Sequence, residues 1–138
     1  MPSRRHLLQY GGASFFLAAP RLGAGDKLPD ATLSAAQAKV SHESFGDLAI
    51  YFTGRTDQVR SMTAGSLRLK PGMSPHPPHQ HPEEEFMVIT EGSGEITVDG
   101  RKSDVSPGSM MYCAAGKLHG IVNTGTARLL FYFYKWKV

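Results

Sequence analysis

The sequence predicts an all-β domain, an antiparallel sandwich or barrel, on three observations. Short apolar or alternating runs follow one another closely after Gly46. Turn residues punctuate them, with 15 glycines and 9 prolines in 138 residues. No interval between the runs has room for a crossover helix, which parallel strands would need. The length suits one hydrophobic core and one site.

In chain order, residues 1–24 read as an export signal. Arg4 and Arg5 precede an uncharged apolar stretch from Gly11 to Ala19, followed by small residues. That stretch is shorter than the ~18 residues of a membrane span. Ser3-Arg4-Arg5-His6-Leu7-Leu8 resembles the twin-arginine motif, with Leu7 where phenylalanine is commoner and Gln9 where lysine is commoner. Cleavage is expected after Ala24, giving a periplasmic or extracellular protein with no membrane span.

Residues 25–45 form an N-terminal segment with a short helix expected over Pro29 to Val40. Asp30 is its candidate N-cap, and Leu33, Ala36 and Val40 fall on one helical face. From 46 to 138 the reading is seven or eight strands, in "LAIYFTG", "MTAGSLRLKPG", "EFMVITEG", "GEITVDG", "SMMYCAAG", "HGIVNTG" and "ARLLFYFYKWKV". "TEGSGE" and "VDGRK" read as hairpin turns, and "SPGS" breaks the chain before "MMYC". The last run alternates too imperfectly to assign its faces, so its aromatics are expected in the core and at a subunit interface.

Charge and cysteine content exclude several functions. The net charge of +3 comes from Arg4, Arg5 and Arg21; beyond residue 24, twelve Lys and Arg balance twelve Asp and Glu. A nucleic-acid surface therefore has no electrostatic basis. Cys113 is alone and cannot close a bridge within the chain. No glycine-rich phosphate loop or nucleophilic triad motif occurs.

The chemistry concentrates in "HPPHQHPEEE", residues 76 to 85. His79 and His81 are one residue apart, so on a strand both imidazoles project from one face and can share an ion. Pro82 argues against an uninterrupted central strand and for a bend that returns Glu85 beside them. A distant ligand is expected from His119, because His6 leaves with the signal, His42 precedes the strand-rich region and His76 lies between two prolines.

These residues carry a family resemblance. Gly72, His79, His81, Glu85 and Gly92 match the first cupin motif, with Gly72 one position farther out than usual. Gly108, Gly116, His119 and Asn123 match the second in register, with Ala114 where proline is usual. The resemblance implies a single jelly-roll β-barrel in which His79, His81, Glu85 and His119 bind one divalent ion, Fe, Mn, Ni, Cu or Zn. It also implies a homodimer acting on a small organic molecule, with dioxygenase-like oxidation as the first reaction class. The alternatives are a non-redox lyase or isomerase and a non-catalytic module that binds a small molecule or metal. Strand parity with Glu85 makes Met87 and Ile89 candidate cavity residues; Tyr112 and His76 are further pocket candidates. Asn123 is expected to complete a turn, and Glu83 and Glu84 to be solvated.

Overall fold

The computed structural model describes residues 25–138, so the expected leader lies outside the described residues. Nine strands run in chain order: β1 (Lys39–Glu43), β2 (Gly46–Gly54), β3 (Ser61–Leu69), β4 (Glu84–Glu91), β5 (Gly94–Val98), β6 (Arg101–Val105), β7 (Met110–Cys113), β8 (His119–Val122) and β9 (Leu129–Lys137). They form a six-stranded sheet in the order β1-β2-β3-β9-β4-β7 and a three-stranded sheet in the order β6-β5-β8. All the strand pairs are antiparallel. An all-β jelly-roll architecture is therefore present.

The helix expected over 29–40 is replaced by a single 3₁₀ turn, Ala35–Gln37. Its N-cap is Ser34 rather than Asp30, and Gln37 Oε1 accepts the Ser34 backbone N–H at 2.9 Å. None of Leu33, Ala36 and Val40 is buried, so no packing supports a helix this short. Lys39 and Val40 instead pair with Ile50 and Ala49, which makes the end of the N-terminal segment an edge strand of the larger sheet.

The turns also divide differently from their reading as hairpins. "VDGRK" closes the β5–β6 hairpin with Asp99 at φ +48° and Gly100 at φ +79°, the left-handed pair that a two-residue loop requires. "TEGSGE" is instead a corner, because β4 and β5 belong to different sheets. A Cβ at Gly92 would lie 2.5 Å from the Arg128 carbonyl oxygen, so the chain turns there only with glycine. From β4 onward the chain passes repeatedly between sheets, which brings residues distant in sequence to one seam.

Alternation places the core. On β4, Glu85, Met87 and Ile89 are buried; on β9, Phe131 and Phe133 are buried, with Lys135 continuing the same face. Met87, Ile89, Phe131 and Phe133 join Leu67 and Leu69 of β3, Ile96 of β5, Met111 of β7 and Ile121 of β8 in one cluster drawn from both sheets. Asn123 is fully buried and completes a turn: its Nδ2 donates to Leu69 and Ala127 carbonyls and its Oδ1 accepts from Gly125 N–H.

Candidate metal centre

Four segments meet at one end of this core. His79 lies in the connection between β3 and β4 and is tied to His119, the first residue of β8, by two backbone hydrogen bonds of 2.9 Å. The His81 carbonyl accepts from Gly116 N–H at 2.8 Å, which fixes the same connection to the turn before β8. That turn closes with Lys117 N–H donating to Ala114 at 3.2 Å and Gly116 at φ +75°. Alanine in place of the usual proline thus leaves the approach to His119 intact. Glu85 enters from β4, between Cys113 of β7 and Lys135 of β9.

The imidazoles of His79, His81 and His119 converge with ring centroids 4.8 to 5.1 Å apart. Their ligand atoms lie within 4.8 Å of one another, so this cluster can hold a metal ion. Glu85 Oε2 lies 3.0 Å from His81 Nε2 and 2.9 Å from His119 Nε2. The bend expected at Pro82 is present. His119 and Glu85 are buried, and His79 and His81 are half-buried.

The outer contacts orient the rings. His81 Nδ1 donates to the Glu83 carbonyl at 3.1 Å, and His119 Nδ1 donates to the Lys117 carbonyl at 3.0 Å. Each ring therefore presents Nε2 to the centre, where the lone pair of a neutral imidazole points at a carboxylate oxygen. Such an arrangement needs positive charge between the two, either a proton or a cation. Two donors held at a right angle by bonds of ~2.1 Å lie about 3.0 Å apart, which the observed separations match. The donor set therefore fits a divalent transition metal.

The electrostatics agree with that fit. Burial, followed by the neighbouring His76, His119 and His81, pulls His79 down to about 4, so its lone pair is free at neutral pH. Burial pushes the Glu85 carboxyl up, but hydrogen bonds and charge from His119 and His81 outweigh it and leave the carboxyl below its usual value. The hydrogen bond to Glu85 raises His119 against the opposing effect of burial.

These directions make a prediction for chelator-treated protein. Imidazole NMR should show His119 protonating at higher pH than His79 as the solution is acidified; the reverse order contradicts the geometry. Between about 4 and 6.5 the unfolded chain binds a proton that folded His79 does not, so its contribution to stability falls as pH drops through that window. His119 acts oppositely: its contribution is complete below the ordinary histidine value and is lost as pH rises through its raised value.

Beside the cluster opens a cavity of ≈ 350 Å³, walled by apolar residues including Leu48, Ile50, Leu67, Met87, Ile121 and Phe133. His76 lines it and stacks on His79, with ring centroids 3.6 Å apart. Met87 lines it as well. Ile89 does not: it is packed deeper in the core at 1% exposure. Tyr112 lies on the opposite, outer face of the sheet and donates its hydroxyl to Glu84 at 2.7 Å. The reason is parity, since Cys113 is the residue of β7 beside Glu85 and its neighbour Tyr112 must point away.

Sequence reasoning missed Thr63 and Lys135, both in the cavity wall, and Glu83, whose carboxylate also approaches His81 Nδ1 at 3.2 Å. The shared face of Leu129, Phe131, Phe133 and Lys135 is the sequence signal that the lysine points inward.

A cupin domain model matches residues 65–133, half the chain and all four converging residues. The chain belongs to the cupin family. No curated protein matches it in sequence. Among solved structures, a predicted oxalate decarboxylase from Thermotoga maritima shares the fold, with 20% identity, TM-score 0.64, and coverage of 78% of this cupin and 100% of that chain. KdgF from Halomonas sp. aligns with 16% identity and TM-score 0.61, over 80% of this cupin and 96% of the other chain. A cupin-superfamily sugar phosphate isomerase from Silicibacter pomeroyi is 26% identical, with TM-score 0.52, over 56% of this cupin and 51% of that chain. Such varied activities on one fold leave the reaction to be argued from the site.

Proposed function

We propose that this cupin binds one divalent metal through His79, His81, Glu85 and His119 and acts on a small organic molecule held in the adjoining cavity. The observation that carries the reading is the convergence of three imidazoles beside an apolar cavity, with the Glu85 carboxylate within 3.0 Å of two of them. When bound, Fe, Mn, Ni, Cu or Zn would supply Lewis acidity, and a redox-active ion would add electron transfer to dioxygen. Oxidation of the dioxygenase type is the first reaction class, because three histidines and one carboxylate do not saturate a six-coordinate ion.

The protein's own contribution is placement. Carbonyl oxygens of Glu83 and Lys117 hold the His81 and His119 rings, and the apolar wall excludes water from the molecule beside them. His76 favours a second reading, a non-redox lyase or isomerase. Its Nδ1–H donates to the Pro77 carbonyl at 2.8 Å, leaving Nε2 to accept a proton at the cavity wall. The names of the Thermotoga and Silicibacter structures accord with that class.

Metal analysis of protein purified from its own compartment tests the proposal. About one equivalent of a single transition metal is expected per chain, and none after loading trials with all five would overturn it. A redox metal would favour oxygen chemistry, and zinc the proton-transfer reading.

Export by the twin-arginine route belongs to the same proposal and rests on the leader sequence. Changing Arg4 and Arg5 together to Lys should leave the precursor in the cytoplasm; normal export would refute that route. Among the described residues, no helix is long and apolar enough to cross a membrane. The outer face of the larger sheet supports a homodimer: Phe86, Met110, Tyr112 and Tyr134 are all exposed there, with Phe86 stacked on Trp136 at 5.7 Å and tilted against Tyr112 at 5.3 Å. Sedimentation showing only monomer would count against it.

A further inference from the structure

We propose that Lys135 is the anion anchor of the cavity, and that the molecule taken there is a small organic carboxylate with an apolar body. This deepens the reading of the site as a metal-dependent small-molecule centre and rests on it. The inward face of β9 reads Leu129, Phe131, Phe133, Lys135, so a cation ends an otherwise apolar stripe. Lys135 stands between Glu85 on β4 and Thr63 on β3, and all three line the cavity.

Several other lysines have evident partners, and Lys39 and Lys137, which show none among the described residues, are exposed to solvent. Lys27 pairs with Asp57, Lys102 with Glu95 and Lys117 with Asp99, all at the surface. Half-buried Lys135 makes no ion pair or hydrogen bond among the described residues. Glu85 is its neighbour across the strands, but that carboxylate is engaged by His81 and His119. An ammonium in an apolar wall without a partner is unfavourable unless water or a ligand completes it. Among the described residues Glu85 is also the only acid in the wall, so a bound divalent ion makes the cavity net positive and attractive to anions.

The donor count narrows the class. Beyond the metal-binding cluster and His76, the lining offers one ammonium and one hydroxyl, from Lys135 and Thr63, against apolar walls; the Thr63 hydroxyl lies 3.3 Å from that of Thr53 and is free to donate to a ligand when it accepts from Thr53. Two such donors suit the two oxygens of one carboxylate. A phosphate, with a second charge and a third oxygen, would lack partners here. The apolar wall takes the rest of the molecule.

The test compares 4-methylpentanoate with its neutral analogue 4-methylpentanamide by calorimetry, using the full chain both metal-loaded and chelator-stripped. Wild type should prefer the carboxylate by roughly tenfold or more, as expected for a charge-assisted hydrogen bond. Lys135→Met, close in shape and uncharged, should lose that preference in the stripped protein, and Lys135→Arg should retain most of it. Circular dichroism confirms folding of each variant, with Lys135→Gln as the substitute if the methionine variant misfolds. Equal preference in wild type and Lys135→Met, or no carboxylate binding by wild type, overturns the proposal and leaves Lys135 as a stem that covers apolar surface. Failure to bind any metal, with the Lys135-dependent preference intact in stripped protein, would instead refute the metal reading alone.

Discussion

Replacing His119 with alanine is expected to strip the centre of most of its metal while leaving the fold in place. The backbone bridge between residues 79 and 119 uses only main-chain atoms, so the variant removes the imidazole and keeps the tether. His79→Ala, His81→Ala and Glu85→Ala should have the same effect, because each removes a donor aimed at the common point. His76 stacks on His79 without entering the ligand cluster. His76→Ala should therefore cost no more than the ~10 to 100-fold in affinity typical of an outer partner. Glu84→Ala should cost less, since that carboxylate is bonded to Tyr112 on the outer face. Metal content measured on folded variants decides: full occupancy in His119→Ala together with loss in His76→Ala would refute the coordination set.

The histidines were legible in the sequence because their chemistry is local in one case and marked by the spacing of a second motif in the other. His79, His81 and Glu85 lie within a single bend, and His119 follows a glycine turn whose backbone survives the alanine at 114. What surrounds them was less legible, for physical reasons. Lys135 belongs to the cavity because β9 lies between β3 and β4, and sheet order is not written in any single strand. Tyr112 was placed among the pocket candidates because four residues of β7 carry too few alternations to fix its face. The segment at 29–40 has a helical pattern of apolar residues, yet the open edge of β2 offered it a ladder of hydrogen bonds, which an isolated short helix could not match.

Phe131→Ala should be among the most destabilising single substitutions in the barrel. Phe131 is 2% exposed, lies between Leu67 and Ile89 across the two flanking strands, and packs near Phe133 with ring centroids 6.4 Å apart. Truncating such a ring typically costs ~3–5 kcal/mol, part from lost burial and part from the void left behind, and should lower the melting temperature by on the order of ten degrees. The same ring also lines the cavity, so part of the void would open into the ligand space. Phe131 faces Ile89 rather than Glu85 on β4, so metal occupancy should persist well below the unfolding midpoint. Urea unfolding with parallel metal analysis separates the two effects. A loss of less than about 1 kcal/mol would mean that the cavity floor is not close-packed. Loss of metal from the folded variant would mean that the floor, and not only the loop and strand ends that carry the histidines, sets the position of Glu85.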